Sequence, residues 1–294
     1  MFQQFLKTSR ARVERALDIW LPATTQDDTQ LISAMRYSAC GGGKRVRAVL
    51  AYASAEAFGF DNEDALDAIA ASLECVHAYS LIHDDLPSMD DDDLRRGKPS
   101  CHIAFGEAIA ILAGDALQTR AFEILTSPEL DIAPELKVRL VQELANASGA
   151  SGMVIGQAID LTATNRTLTQ PQLERMHLCK TGALISAAVR MGAIVAGAND
   201  EQLANLSRYA QTVGLAFQVQ DDVLDVTTET SVLGKPKGAD AALNKPTFVS
   251  LLGLEAAQSF AKELHNQALN SLSSFDYRAD HLRNLSGYIV NRSN

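Results

Sequence analysis

The stretch on which the fold and the chemistry of this chain depend spans residues 83–97, which read HDDLPSMDDDDLRRG. Six aspartates fall within ten residues, at positions 84, 85 and 90–93, and arginines follow at 95 and 96. Such a run repels itself, and a solvated acidic loop is its simplest interpretation. An EF-hand is excluded, because no alternating acidic frame leads to a central glycine and a glutamate at the twelfth loop position.

The sequence before the aspartates is typical of a buried helix. Apolar or small residues recur at helical spacing from Leu66 to Ser80. Asp84 continues this stripe one turn beyond Ser80, so we expect its carboxylate to end the buried face. An unpaired carboxylate in that position is costly, and Mg²⁺ is a natural partner because it prefers oxygen ligands.

A second acidic cluster lies far downstream, where residues 217–225 read FQVQDDVLD. Asp221 and Asp225 stand four residues apart, so they share one face of a helix. Gln218 precedes Asp221 by three residues and lies on the same face. Two acidic helix faces directed into one cavity would form a clamp for several cations and a diphosphate.

These two motifs, DDxxxxD at 84–90 and DDxxD at 221–225, resemble those of the trans-isoprenyl diphosphate synthases. The longer first motif is similar to that of the bacterial farnesyl diphosphate synthases, and matching pieces run from Gly43 to Lys245. The resemblance implies Mg²⁺-dependent prenyl transfer between isoprenoid diphosphates, with about three ions per active site and Mn²⁺ as a substitute. It assigns catalysis and metal binding to Asp84, Asp85, Asp90, Asp221, Asp222 and Asp225.

Helical periodicity recurs throughout the chain, and no convincing β alternation interrupts it. No long Ser- or Pro-rich linker divides the sequence, so we expect one all-α domain over residues 1–294. The resemblance implies the isoprenoid synthase fold, a single-domain helical bundle around a central catalytic cavity. It also implies a homodimer.

Composition excludes several classes of function. The net charge of −10 argues against a nucleic-acid partner, because phosphate backbones require basic surface. The N-terminus lacks an apolar signal core, and the most apolar segment, Ala183–Ala198, contains Arg190 and is too short to span a bilayer. The four cysteines lack CxxC spacing, which favours free thiols. We therefore expect a cytoplasmic protein without membrane insertion.

A glycine run at Gly41–Gly43 leads into three cations within the next four residues. A P-loop is excluded because no serine or threonine follows Lys44. Free N–H groups and a helix start still favour an anion, with an ordinary basic helix start as the alternative. The resemblance implies that Lys44 and Arg47 hold the diphosphate of isopentenyl diphosphate with His77 beside them. Alone, a histidine on an apolar helix face indicates a core residue.

Arg95 and Arg96 directly follow the first acidic cluster. They could simply neutralise it, but guanidinium forks are also suited to bidentate phosphate binding. The resemblance places Arg95 on the allylic diphosphate and Arg96 on the homoallylic one.

Further polar groups follow downstream. Lys180 beside Thr181 and Gly182 predicts a local distortion of a helix, with Lys180 contacting diphosphate. Thr181 and Gln218 could face the allylic group. By resemblance, Gln157 and Asp160 match a GQxxD element near the substrate, although the glycines at 152 and 156 could instead admit a neighbouring helix. The family closes its site with lysines at the positions of Lys235 and Lys245.

The residues just before Asp84 bear on product length. Ser80 lies one turn before Asp84, about 6 Å along the helix at 1.5 Å per residue. Tyr79 carries a ring that could close the floor of the cavity, or could merely pack between helices. An aromatic here resembles family members that stop at C15, so we expect farnesyl diphosphate, made from dimethylallyl and geranyl diphosphate.

Two other functions compete with this one. A class I terpene cyclase is also all-helical and Asp-rich, but it would need neither a second DDxxD nor separate cations at Lys44 and Arg47. A non-catalytic partner subunit should have lost at least one acidic motif. Both motifs are complete here, which favours the prenyltransferase.

Overall fold

The computed structural model describes residues 1–25, 30–164, 166–228 and 245–292 of the chain. These residues are overwhelmingly helical, which confirms the predicted fold class. They divide into two compact units, the first formed by Met1–Tyr52 with Asp61–Gln142 and the second by Ala53–Phe60 with Glu143–Asn294. The expected single domain stays a prediction, and each unit is described by itself.

The first unit is built mainly on the helix that leads into the first acidic cluster. Its elements are α1 (Phe2–Trp20), α2 (Leu31–Ala39), α3 (Val46–Glu56), α4 (Glu63–Asp84), β1 (Leu94–Arg95), β2 (Lys98–Pro99), α5 (Cys101–Phe105), α6 (Glu107–Thr126) and α7 (Pro134–Ser148). Helices α3 and α7 also contribute residues to the second unit. Helix α4 packs most extensively against α6.

Helix α4 is buried on almost every side, unlike an amphipathic surface helix. Its N-terminus is capped by Asn62, whose side chain accepts a hydrogen bond from the backbone of Ala65 at 3.1 Å. Ile69, Leu73 and Val76 are fully buried. A helix apolar all round belongs in a core, so α4 fixes where its C-terminal aspartates lie.

A buried ion network ties α1, α4 and the glycine-rich connection together. Arg45, whose φ of 52° is unusual for a non-glycine residue, donates to Glu14 and to Glu74, each at 2.8 Å. The side chains of Arg45 and Glu74 are 3% and 1% exposed. Arg45 is therefore a structural cation, although it lies within the run predicted to bind an anion.

A two-residue hairpin that the sequence analysis missed follows the first acidic cluster. Leu94 pairs with Pro99 and Arg95 with Lys98, and the two turn residues, Arg96 and Gly97, both have positive φ. Two central residues of positive φ define the turn that suits a tight hairpin. Strands of two residues are too short to show the alternation of apolar and polar residues that predicts a strand. The turn directs the consecutive arginines in different directions.

The second unit is centred on the long helix that carries the second acidic cluster. Its remaining elements are α8 (Met153–Ala163), α9 (Gln170–His177), a π-helical turn (Leu178–Gly182), α10 (Ala183–Val195), α11 (Asp200–Thr227), α12 (Phe248–Leu252), α13 (Leu254–Ser271), a short 3₁₀ helix (Tyr277–Ala279) and α14 (Asp280–Asn291). Helix α11 begins with a capping box between Asn199 and Gln202 and packs most extensively on α13.

The π-helical turn confirms the distortion predicted at Lys180, Thr181 and Gly182. It stands between α9 and α10, so that a continuous helical path runs over Gln170–Val195. A π-turn inserts one extra residue and interrupts the regular i→i−4 ladder, and such turns recur at functional sites.

Two glycines let neighbouring helices touch this turn with their backbones. A Cβ added at Gly156 of α8 would lie 2.1 Å from the backbone nitrogen of Lys180, and one at Gly214 of α11 would lie 2.9 Å from the Cα of Gly182. The helix approach expected at the 152/156 glycine pair therefore occurs at Gly156. At Gly152 an added Cβ would instead meet the carbonyl oxygen of Ala147, at 2.1 Å.

Two helices, Glu63–Asp84 and Gln170–Val195, are long and apolar enough to cross a membrane by length and composition alone. Of their most apolar windows, 78% and 61% are buried inside the protein, and the core helix of a soluble protein passes the same test. The absence of membrane insertion stays a prediction.

The close contact at Gly156 gives a first test. Gly156→Ala should lower the free energy of unfolding by about 1–3 kcal/mol, because the methyl group would overlap the Lys180 backbone, which has no rotamer that relieves the overlap. The matched control is Gly287→Ala in α14, where the nearest atom to an added Cβ is 3.6 Å away and helix propensity should give about 0.5–1 kcal/mol of stabilisation. Chemical denaturation measures both, and equal stability of the two variants would contradict the close contact.

Candidate active site

The first acidic cluster folds back over the end of α4. The backbone N–H of Asp90 donates to the carbonyl of Asp84 at 2.9 Å, and that of Asp92 donates to Asp85 at 3.2 Å. Asp91, with a φ of 53°, makes the reversal of direction possible. The predicted members Asp84 and Asp90 are thus brought together at one helix end.

The buried carboxylate at this end is Asp85, which corrects the expectation that Asp84 ends the buried face. Asp85 is 2% exposed and follows the buried residues Ala78 and Ile82, whereas Asp84 is half-buried. Because α4 is surrounded on nearly all sides, the stripe read from the sequence did not identify the innermost position. Burial raises the pKa of Asp85, and the neighbouring Arg95 opposes that rise.

Arg95 is the partner of this buried carboxylate. Its Nε lies 3.0 Å and 3.2 Å from the two oxygens of Asp85, and its Nη2 donates to Oδ1 and also to Asp92. The ion pair raises the pKa of Arg95 although burial opposes it. The Asp85–Arg95 pair therefore fixes both the carboxylate and the first arginine of the hairpin.

Arg96 turns the other way, toward the glycine run. Its Nη1 donates to the carbonyl of Gly42, and its guanidinium carbon would lie 2.8 Å from a Cβ added at Gly43. Burial and the neighbouring cations Arg45 and Arg95 lower the pKa of Arg96. Glycine at position 43 thus permits the guanidinium to lie against the backbone.

The predicted anion site assembles around Arg96 in the first unit. Burial lowers the pKa of His77 well below its ordinary value, and the charges of Arg47 and Arg96 lower it further, so the ring is neutral at neutral pH. The side chain of Lys44 is exposed, while its carbonyl accepts from Arg10 at 3.2 Å. Arg47 and Arg96 are therefore two cations beside the neutral ring of His77.

A pocket that is partly open to solvent lies beside Arg96. Ala78, Leu81 and Ile82 form an apolar wall on α4, while Arg95 and Arg96 line its polar part. It combines an apolar surface with guanidinium groups, as a site for an amphiphilic anion requires.

The predicted chain-length residues lie on α4 in the same unit. Tyr79 is 9% exposed, hydrogen-bonds with Gln118 of α6, and its ring meets that of His83 edge-on at a centroid distance of 5.2 Å. The Ser80 hydroxyl donates to the carbonyl of His77 at 2.9 Å. His83, which no sequence pattern indicated, places its ring against Gly114 of α6, where an added Cβ would lie 2.2 Å from it.

The aspartates of the second acidic cluster also differ in their exposure to solvent. Asp222 and Asp225 are each 2% exposed. Asp222 accepts from the Gln218 amide at 3.2 Å through Oδ1 and from the backbone N–H of Phe248 at 2.7 Å through Oδ2. Asp221 is half-buried and pairs with Arg292, Nη2 to Oδ1 at 2.6 Å.

Several polar side chains lie around the π-turn in the second unit. Lys180 Nζ lies 2.6 Å from Asp160, and the Thr181 hydroxyl donates to the oxygen of the Gln218 amide at 3.3 Å. Burial lowers the pKa of His177, immediately before the turn, to about 4. Among the described residues, the buried amide atoms of Gln157 have no hydrogen-bond partner, which leaves them available to a ligand or water.

Of the two lysines predicted to close the site, only Lys245 is among the described residues. Lys245 is half-buried at the start of the segment that leads to α12, whereas Lys235 lies outside the described residues. Of the cysteines, Cys75 and Cys101 are buried and all four are free thiols, in agreement with the prediction.

The donor sets at both helix ends fit Mg²⁺. They consist of hard carboxylate oxygens, although within residues 1–25, 30–164, 166–228 and 245–292 no group of three or more His, Cys, Asp or Glu is placed so that it could hold a metal ion by itself. Mg²⁺ commonly binds through one or two carboxylates and takes its other ligands from substrate phosphates and water. The arrangement suits a cation that is completed by a diphosphate.

Comparison with known proteins identifies the family of the chain. The chain is 48% identical to farnesyl diphosphate synthase of Escherichia coli over 99% of both chains, and 44% identical to geranylgeranyl pyrophosphate synthase 11 of Arabidopsis thaliana, covering 100% of this chain and 83% of the relative. The solved structure of an FPP/GFPP synthase from Zymomonas mobilis superposes with a TM-score of 0.88, at 42% identity and 98% coverage of both chains. The polyprenyl synthetase family model matches residues 28–279, and the chain belongs to this family.

Proposed function

We propose that the chain condenses isopentenyl diphosphate with dimethylallyl and geranyl diphosphate to give (2E,6E)-farnesyl diphosphate and release diphosphate. One observation carries the proposal. The chain combines acidic helix ends that suit metal-bound diphosphate with a separate cationic group, at Arg47 and Arg96, that suits a second diphosphate. The 48% identity to a farnesyl diphosphate synthase over nearly the whole chain supports the same substrates.

The two kinds of aspartate have different tasks. Asp84, Asp90, Asp221 and Asp225 would hold Mg²⁺, of which about three ions serve each site, with Mn²⁺ as a substitute. Mg²⁺ supplies neutralisation of the negative charge that develops on the departing diphosphate. Asp85 and Asp222, each 2% exposed and bonded to protein donors, hold Arg95 and Gln218 in place.

Different cations bind the diphosphates of the two substrates. Lys44, Arg47 and Arg96 bind the diphosphate of isopentenyl diphosphate beside neutral His77. Arg95 and Lys180 bind the allylic diphosphate, and Lys235 and Lys245 close over it. Lys180 is held by Asp160 at 2.6 Å until an anion competes for it. Guanidinium groups suit this task because they match two phosphate oxygens at once.

The remaining polar groups protect and orient the reacting carbon chain. Ionisation leaves an allylic cation, which the double bond of isopentenyl diphosphate attacks. The Thr181 hydroxyl and Gln218 amide present oxygen dipoles to this cation, and apolar walls exclude the water that would quench it. The proton that leaves in the last step passes to the departing diphosphate, since no residue is assigned as its base.

Product length depends on the floor formed by Tyr79. Its hydrogen bond with Gln118 and its edge-on contact with His83 hold the ring in place, which favours C15. The similarity to a plant geranylgeranyl pyrophosphate synthase makes C20 the competing product. We further propose that the enzyme works as a cytoplasmic homodimer.

Exchanging adjacent aspartates separates the two tasks. Asp84→Asn should lower kcat about 10²- to 10³-fold, because several kcal/mol of charge stabilisation is lost, while the thermal midpoint stays unchanged or rises. Asp85→Asn should instead lower the free energy of unfolding by about 1–3 kcal/mol, because it leaves Arg95 without its buried partner. Steady-state kinetics and thermal unfolding of both variants distinguish the two roles. Near-normal turnover of Asp84→Asn at saturating Mg²⁺ would refute the metal-binding role of Asp84.

Exchanging one cation in each unit separates the substrates. Arg47→Gln should raise the KM for isopentenyl diphosphate about tenfold or more, equivalent to roughly 1.4 kcal/mol of lost binding, with little effect on the allylic KM. Lys180→Gln should do the reverse. Each substrate is titrated at saturating concentrations of the other, and equal losses for both substrates in both variants would contradict the assignment.

Enlarging or opening the floor should change the product. Ser80→Phe should shorten the product to C10 by filling space above the floor, one turn before Asp84, and Tyr79→Ala should allow C20 or longer products by removing the ring. Extraction and chromatography of the prenyl alcohols measure the distribution. If both variants still give only C15, another wall sets the length.

A further inference from the structure

The last helix delivers an arginine to the second acidic cluster from the far end of the chain. Helix α14 packs on α11 and buries Leu285, Ile289 and Val290. The backbone turns extended directly after Asn291, with φ of −66° and ψ of 149° at Arg292. This change of direction lays the Arg292 side chain along α11, where it is 4% exposed.

Four contacts hold Arg292 in this position. Its Nη2 donates to Oδ1 of Asp221 at 2.6 Å and to the carbonyl of Phe217 at 3.0 Å. Its guanidinium carbon lies 4.0 Å from the centroid of the Phe217 ring, a cation–π distance. Its own carbonyl accepts from the buried amide of Gln220 at 3.2 Å. The hydrogen bonds and the ring contact together hold the guanidinium in a single orientation.

This arrangement differs from a solvent-exposed ion pair. Exposed pairs contribute little because both side chains must be ordered, but here packing of α14 and stacking on Phe217 order the arginine independently of Asp221. Asp221 itself is 41% exposed, so one carboxylate oxygen faces a fixed donor while the group as a whole stays accessible. A buried donor that orients an accessible ligand is the usual construction of an outer shell around a metal.

We infer that Arg292 is a positioning residue for Asp221: it fixes Oδ1, directs Oδ2 toward the diphosphate-bound cation, and balances the charge of the cluster when no cation is bound. The inference rests on the proposed function for the identity of the cation. It assigns the end of the chain to the metal-binding carboxylates and not to the isopentenyl diphosphate site. The Asp85–Arg95 pair of the first unit is the reverse case, because there the carboxylate is the buried partner and the arginine is 36% exposed.

The test measures cation binding without turnover. The thermal midpoint of the full chain is followed as Mg²⁺ is titrated at a fixed concentration of inorganic diphosphate, since a bound ligand raises the midpoint in proportion to its occupancy. Arg292→Gln should raise the half-saturating Mg²⁺ concentration about tenfold, as loss of an outer-shell partner typically does. Arg292→Lys should recover part of this shift, because it keeps the charge without the fork.

A double-mutant comparison shows whether the effect passes through Asp221. In the Asp221→Asn background, Arg292→Gln should cause no further shift. The control is Arg278→Gln, which removes a surface arginine paired with Asp276, 2.9 Å away, and should leave the Mg²⁺ titration unchanged. Prenyl transfer by the unmodified chain is assayed in parallel, so failure of the proposed function is seen separately.

Three results would overturn the inference. An equal shift in both backgrounds would mean that Arg292 acts only through folding. A shift to lower Mg²⁺ would mean that the guanidinium merely competes with the cation. An increase in the KM for isopentenyl diphosphate with an unchanged Mg²⁺ titration would assign Arg292 to the other substrate.

Discussion

A run of aspartates can end a buried helix only where fixed cations oppose their charge, and this constraint explains much of the architecture. Asp85 is buried at the end of α4 and is held by Arg95, which the hairpin brings back ten residues later. Asp221 is held by Arg292, which arrives from the end of the chain. Without Arg95, desolvation would favour a protonated Asp85 and leave its buried carboxyl group without an ionic partner.

A steric constraint complements the electrostatic one in the second unit. The π-turn at Leu178–Gly182 lies in backbone contact with Gly156 of α8 and Gly214 of α11. Because no side chain separates these backbones, the turn has little freedom to shift, and Lys180 and Thr181 are directed from a rigid base. Thr181, Gln218, Asp222 and the N–H of Phe248 then form one chain of hydrogen bonds.

The sequence allowed prediction of features that are local in the chain. The acidic clusters and the distortion at Lys180 follow from nearby residues, whereas the contact of the glycine run with Arg96 joins residues 54 apart. It failed at Asp85, because α4 is buried on all sides and periodicity cannot rank its faces. It also missed the contact of His83 with Gly114 and the pair of Asp221 with Arg292, which depend on packing between segments 31 and 71 residues apart.

In the proposed function, the two neighbouring arginines of one hairpin serve two different anion sites. Arg95 faces a carboxylate, which raises its pKa, whereas Arg96 lies among cations and against the glycine backbone, which lowers its pKa and that of His77. Closely spaced cations are stabilised most by an anion whose charge is not already neutralised by a bound metal ion. A diphosphate that must survive the reaction is best bound there, because metal neutralisation would make it a better leaving group. The diphosphate that must leave belongs at the acidic helix ends, where a cation has to accompany it.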